Sequence, residues 1–451
     1  MEVIANNLED YLVDNLGYQL KNGASYVLER KAVTFSASGG NIYESSNGSK
    51  IIKFQLAANE FLDPSTFRFQ FTVVNKNATA ANRLRPISGP WCFFRRVRVE
   101  CAGITLEDFE YNRTHELLET LKNENVRRNN NIEGFGYTWD MVDEQWDEAH
   151  MPGIKGGSSM TVQFKPCCGI LNQPKYIYLK AAPLTFEFEL VNDATDCIIS
   201  QDNASFAVGT DTSGEWSIQN PYVKADLVVL DSGLMNEYNK FLLDSKSIPI
   251  AFETYITQSQ NVSATSNDIK LNVARALTKL NSMFITFFKS VQPATRIAGY
   301  HHLFDKKVVN KPAVEFTHPM QIGPNELYDK DYELEWQITC GGKTYPTYPC
   351  RSIQETYYRL LDCLNLPDVH QHSISVIDFN SYKKNKFIIG MNFEKVKDAA
   401  FTGLSTKAGE LSNISVKATN QTYTGNIDNI YMTLKAECIL YISDKGVEVH
   451  Y

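Results

Sequence analysis

One β-rich unit occurs twice in this chain. Ile52, Phe67 and Phe71 return as Ile269, Phe284 and Phe288, each 217 positions later (269 − 52 = 217). The first stretch reads IIKFQLAANEFLDPSTFRFQF and the second DIKLNVARALTKLNSMFITFF. Cys101, Gly103, Thr105, Glu116 and Leu121 return as Cys340, Gly342, Thr344, Glu355 and Leu360, all at a spacing of 239 (340 − 101 = 239). In each copy a strand-like run reaches a Cys-x-Gly-x-Thr turn and then a helical run, HELLETL or QETYYRLL. A period this long means two whole domains rather than a solenoid of short repeats. The 451 residues leave room for two domains of ordinary size.

The pattern between these landmarks is that of strands. VTFSAS (33–38), KIIKFQLA (50–57), TFRFQFTVV (66–74), RRVRVECAG (95–103), SSMTVQFKP (158–166), KYIYLKA (175–181), LTFEFELV (184–191) and NPYVKADLVVLD (220–231) alternate, or are rich in β-branched and aromatic residues. NRTHELLETLKN (112–123) predicts a helix, with Asn112 or Thr114 as its cap. GLMNEYNKFLLDSK (233–246) predicts a connecting helix. The second unit opens at IPIAFETYITQS (248–259), carries a helix around 352–365, and closes with NIYMTLKAECILYISDKGVEVHY (429–451). Residues 124–157 and roughly 196–216 read as long loops facing outward. About eight short strands per unit with long loops predict an all-β protein. The expected fold is two tandem antiparallel jelly-roll β-sandwiches with a few short helices in the connections. The expected division is an N-terminal arm at 1–24, a first jelly roll at 25–231 and a second at 232–451. In the arm Leu8, Tyr11, Leu12 and Leu16 share one helical face. That face rests either on this chain's own domain or on a neighbouring subunit or inner layer.

Composition excludes several classes of function. The net charge is −8 and no long basic run exists, so the electrostatic footprint of a nucleic-acid binder is missing. In FFRRVRVE (93–100), Arg96 and Arg98 are expected on one solvated strand face. The nine cysteines form no CxxC pair, and Cys167 and Cys168 are adjacent, which suits neither a bridge nor a metal pair. They read as reduced, buried thiols. The acidic N-terminus MEVIANNLEDYLVDNL lacks the apolar core of a signal peptide, so synthesis without a secretory signal is expected. No apolar run is long enough to span a bilayer. The triplets at Asn47, Asn77 and Asn261 are then not read as glycosylation sites.

Catalytic patterns are absent: no GxGxxG after a strand, no GxxxxGK[ST], no HExxH and no GxSxG. His301 and His302 would point to opposite faces of a strand, and His370 with His372 lacks a third ligand. Asp140, Asp143, Glu144, Asp147 and Glu148, with Trp139 and Trp146, make an acidic loop that reads as solvated rather than as a glycosidase pair. No catalytic, cofactor-binding or metal residue and no cofactor is predicted, and the chain is expected not to be an enzyme.

Three segments carry a family likeness: PISGPWCFFRRVRVECAGITLEDFEYNRTHELLETL (86–121), YPTYPCRSIQETYYRLLDCLN (345–365) and FIIGMNFEKVKDAAFTGLSTKAGELSNISVKA (387–418), followed by the closing stretch. With them the chain resembles the double jelly-roll major capsid proteins of eukaryotic DNA viruses, closest to those of Polinton-like viruses and virophages. The resemblance implies a structural role in the virion. Homotrimers with a pseudo-hexagonal base would tile an icosahedral shell around double-stranded DNA. Implied partners are neighbouring capsomers, penton and minor capsid proteins and, where one exists, an internal membrane. No direct sequence-specific nucleic acid binding is implied. The alternatives are a carbohydrate-binding or carbohydrate-active β-sandwich using the 124–157 loop, or a minor viral fibre or receptor-binding component.

Overall fold

The computed structural model describes residues 26–45, 50–84, 86, 88–122, 135, 153–198, 213–262, 268–273, 276–288, 316, 318–319, 334–340, 343–366, 379, 382, 386–396, 401–406, 412–418 and 429–451. Alternating apolar residues make the strands of the first unit. LTFEFEL, for example, buries Leu184, Phe186, Phe188 and Leu190 and turns the residues between them outward. The elements in order are β1 (Val27–Ser36), β2 (Ile42–Tyr43), β3 (Ile51–Leu56), β4 (Phe61–Asn75), β5 (Phe94–Cys101), β6 (Ile104–Glu110), helix α1 (Tyr111–Thr120), β7 (Ser159–Phe164), the single turn α2 (Gly169–Asn172), β8 (Ile177–Tyr178), β9 (Leu184–Leu190) and β10 (Trp216–Leu230). One sheet runs β1-β10-β4-β7, with β2 added to β10 and β8 to β4; the other runs β3-β9-β5-β6. Rings from the two sheets meet between them: Phe54 and Phe69 at 5.3 Å, Phe69 and Phe188 at 4.5 Å, Phe67 and Phe186 at 4.8 Å.

Helix α3 (Ser232–Leu243) connects the units, capped by the Asp231 carboxylate, which accepts from the Gly233 amide. The second unit holds β11 (Ile248–Asn261), β12 (Asp268–Val273), β13 (Leu280–Phe288), β14 (Leu334–Cys340), β15 (Lys343–Cys350), helix α4 (Ile353–Cys363), β16 (Ile388–Asn392), β17 (Ser412–Ala418), β18 (Asn429–Ser443) and β19 (Gly446–His450). Its sheets run β11-β18-β13-β16, with β19 added to β18, and β12-β17-β14-β15. With the short β2, β8 and β19 set aside, the eight remaining strands of each unit follow one order. Strands one, eight, three and six form one sheet; two, seven, four and five form the other. Every pairing within these sheets is antiparallel. The fold is two tandem jelly rolls, as the repeat predicts, and α1 and α4 both follow the fifth strand.

The repeat holds in detail at the turn and slips after it. Cys101 pairs with Ile104 and Cys340 with Lys343, the same register 239 residues apart. Farther along, Val97 faces Phe109, whereas Trp336 faces Cys350. Those partners are 241 apart (350 − 109), because β15 bulges between Tyr345 and Cys350. The helices therefore start at Tyr111 and Ile353, 242 apart, and the sequence matches of Glu116 with Glu355 and Leu121 with Leu360 are not structural matches. Thr114 and Thr356 are: each donates its hydroxyl to the carbonyl four residues back.

The expected cap of α1 also needs correction. Glu110 stands at the N-cap with no side-chain bond, because β6 runs straight into the helix. Helix α4 is capped, by the Ser352 hydroxyl accepting from the Glu355 amide. Strands β6, β15 and β17 were not predicted. In β6 the adjacent Leu106 and Glu107 are both buried, and β15 carries Pro346 and Pro349, so neither alternates.

Candidate assembly surface

The described residues hold no cluster of three or more His, Cys, Asp or Glu side chains that could bind a metal. None of their helices is long and apolar enough to cross a membrane. All nine cysteines are free and eight are buried. Trp139, Asp140, Asp143, Glu144, Trp146, Asp147, Glu148, His301, His302, His370, His372, Asn47 and the arm with Leu8, Tyr11, Leu12 and Leu16 lie outside the described residues, as do 199–212.

Arg96 and Arg98 do share a solvent face, and Arg95 joins them through a bulge after Phe94. That face is neutralised in rows. Lys53 pairs with Glu187 at 2.8 Å, Arg95 with Glu189 at 2.5 Å, Arg98 with Glu100 at 2.8 Å, and Arg96 with Asp108 through two nitrogens. Four cations meeting four carboxylates leave no excess charge for a phosphate backbone.

One polar network lies along α1 with no motif to announce it. Tyr111, His115 and Glu119 recur every fourth residue along α1, so they share a face. The Tyr111 hydroxyl lies 3.0 Å from His115 Nδ1, and His115 Nε2 lies 3.5 Å from Glu119. Burial pushes the Glu119 carboxyl up, but His115 and Lys122 override it and bring it down to about 2. The Trp91 indole stacks on His115 at 4.2 Å and donates to Glu116. His115 is buried beneath this ring, so the group fastens the helix and offers no face to a substrate.

The principal polar site is the seam between the jelly rolls. Among the described residues β6 pairs only with β5, so its outer backbone groups need partners. Side chains of the second unit supply them. The Tyr451 hydroxyl lies 2.9 Å from the Thr105 carbonyl oxygen and 2.8 Å from that of Leu106. The Glu110 amide donates to Thr257 Oγ1 at 2.7 Å. Phe109 packs beside Tyr255, and Arg113 lies over the Phe288 ring at 4.2 Å.

Glu107 is buried at the centre. Its Oε1 accepts from the Gly169 amide at 2.8 Å and the Thr254 hydroxyl at 3.2 Å, and its Oε2 from the Ile170 amide at 3.3 Å. Burial pushes its pKa up to about 7 against these donors. Gly169 is required here, because a Cβ would lie 1.6 Å from the Glu253 carbonyl oxygen. The cores interleave as well: Ile250, Phe252, Cys438, Leu440, Ile442 and Val447 belong to the first core, and Leu117 to the second. An interface this apolar holds the two jelly rolls as one body.

No family model matches the sequence, and no curated protein matches it. Solved structures do. The PBCV-1 virus capsid structure superposes with a TM-score of 0.61 at 10% identity, covering 94% of this chain and 96% of that one. The Faustovirus major capsid protein gives 0.57 at 9% identity, over 98% and 94%. The Sputnik virophage structure gives 0.53 at 11% identity, over 98% and 93%. The strand order, the seam and these superpositions agree: the chain has the double jelly-roll fold of these viral capsid proteins.

Proposed function

We propose that this chain is the major capsid protein of an icosahedral double-stranded DNA virus, a structural subunit that acts in the virion. Three copies form a pseudo-hexameric homotrimer. These capsomers meet one another, pentons, minor capsid proteins and, where one exists, an internal membrane. The observation that carries this reading is the locked pair of like-ordered jelly rolls, matched along more than nine-tenths of both chains in solved capsid proteins. Two similar units per chain let three chains present six similar sides. The division into an arm at 1–24 and jelly rolls at 25–231 and 232–451 belongs to the same proposal. The reading assigns the chain no catalytic step. Its negative charge and its paired arginines suit a wall that does not coat nucleic acid. No described residue favours a carbohydrate site.

The test is sedimentation of the purified chain at micromolar concentration, with electron microscopy of the same sample. A three-chain species with a hexagonal outline supports the proposal. A stable monomer throughout that range rejects it.

A further inference from the structure

The fold brings together two cysteines of the first unit. Cys92 lies in the short turn Pro90–Phe93, which leads into β5, and Cys197 in the turn Ala194–Cys197, which follows β9. They are 105 positions apart in the sequence (197 − 92 = 105). β5 and β9 are paired neighbours, with Phe94 opposite Leu190. The Val191 amide extends that contact by donating to the Phe93 carbonyl at 3.0 Å. The Cys92 thiol donates to the Cys197 carbonyl oxygen at 3.6 Å, and the Cys197 thiol to that of Ala194 at 3.5 Å. The two sulfurs are also within hydrogen-bonding reach of each other.

Both turns are fixed in place. The Cys92 amide donates to the Gly89 carbonyl at 3.0 Å, and the Trp216 indole to the Ala194 carbonyl at 2.9 Å. The Phe93 and Trp216 rings meet at 4.8 Å, and Pro86 and Ile198 form a β-bridge. Both thiols are buried, and burial pushes that of Cys197 well up. Packing alone explains a buried thiol, but it does not require two to meet across so long a stretch of chain. Other cysteines are placed differently: Cys167 and Cys168 are adjacent, and the Cys350 thiol turns to Glu355 at 3.3 Å.

We infer that Cys92 and Cys197 are a disulfide-forming pair, bridged when the chain meets an oxidising medium. The oxidant is a small disulfide, RSSR. One cysteine thiolate attacks it, forms a mixed disulfide and releases RS⁻. The other thiolate attacks the protein-bound sulfur of that mixed disulfide, closes the Cys92–Cys197 bond and releases the second RS⁻. The two cysteine protons leave on two RSH, and RSSR takes the two electrons. Buried thiols exchange slowly, so the bond forms while the turns are open, in folding or in local opening, and is shielded once they close. It ties together turns that already touch, so the native state gains little strain. It also closes the chain from β5 to β9 into a covalent loop, which restricts the unfolded state. The reduced pair suits a reducing compartment and the bridged pair the medium outside a cell. The inference goes beyond the capsid reading and stands or falls without it.

The test treats the full chain with hydroxyethyl disulfide at mildly alkaline pH, in one sample as folded protein and in a second during refolding. Mass spectrometry of peptides cut under non-reducing conditions then maps the thiols. A Cys92–Cys197 linkage should appear in one or both samples, and the linked protein should melt about 5–10 °C higher than the reduced protein. Cys92→Ala and Cys197→Ala should show no such rise on the same treatment, whereas Cys350→Ala should keep it. Each variant is compared with its own untreated sample, so a change in its basal stability does not enter. The linkage map of the unmodified chain needs no variant at all. Absence of the Cys92–Cys197 peptide from both samples, or an equal rise in Cys92→Ala, overturns the inference and leaves the capsid reading untouched.

Discussion

The two jelly rolls share a strand order and little else. The first is packed with phenylalanine. Phe69 touches Phe54, Phe71, Phe94, Phe164 and Phe188, with centroids 4.5 to 5.7 Å apart. The second also holds phenylalanines, among them Phe284, Phe287 and Phe387, but it contains one buried indole, Trp336, whose Nε1 donates to Thr356 at 3.0 Å. In the first unit the third strand, β4, alternates between buried and half-buried from Phe67 onward. Its counterpart β13 is buried at every residue, with Arg113 of the first unit over Phe288. Topology tolerates this divergence because it needs apolar residues at the right period, not particular ones. The edges do not tolerate it in the same way. β6 surrenders its outer groups to the second unit, whereas β15 is bulged and carries prolines.

Substitutions can break this comparison in order of size. Phe69→Ala should cost about 3–5 kcal/mol, since five rings surround the vacated space. Trp336→Phe keeps most of the volume and should cost only ~1–2 kcal/mol for the lost indole bond. Chemical denaturation of both variants measures the contrast, and equal losses would mean the two cores are built alike.

Glu107 comes next. Its carboxyl sits at about 7 rather than 4.5. The folded chain therefore holds a proton that the unfolded chain releases between those values. Stability should fall as pH rises from about 4.5 to about 7, by up to ~3 kcal/mol. Glu107→Gln, neutral at every pH, should remove that slope from the melting curve. At the equivalent ladder position, opposite Ile338, the second unit has Tyr345, so no matching slope is expected from it.

Tyr451→Phe removes the hydroxyl shared by the Thr105 and Leu106 carbonyls and should cost ~1 kcal/mol, read by denaturation. Ser352→Ala should cost α4 about 1 kcal/mol. Asn112→Ala removes only the bond its Oδ1 accepts from the adjacent Arg113 amide, not an N-cap, and should cost α1 less than half of that. Equal effects would contradict the difference in how the two helices begin.

Much of the fold was legible because period-2 alternation reports a half-buried strand directly, as in LTFEFEL and TFRFQFTVV. The repeat was legible through Cys101 and Cys340, where a tight turn restricts the residues allowed. The bulge in β15 was not, since the extra residues sit among prolines and tyrosines that give no period. The seam was hidden for a different reason. Glu107 looks like any exposed strand carboxylate in ITLEDFE until a second domain covers it. Tyr451 is 346 residues from Thr105, and no local pattern links them. The Tyr111–His115–Glu119 spacing was readable, but the strand-to-helix junction without a cap placed the helix start two residues earlier than a cap at Asn112 would set it.

The most direct test is a reconstruction by electron cryomicroscopy of the purified assembly at side-chain resolution. The account predicts a threefold ring of six jelly rolls. In each chain the β6–β11 seam would be closed, with the Tyr451 hydroxyl at the Thr105 and Leu106 carbonyls. A twofold assembly, or jelly rolls parted at that seam, would contradict it.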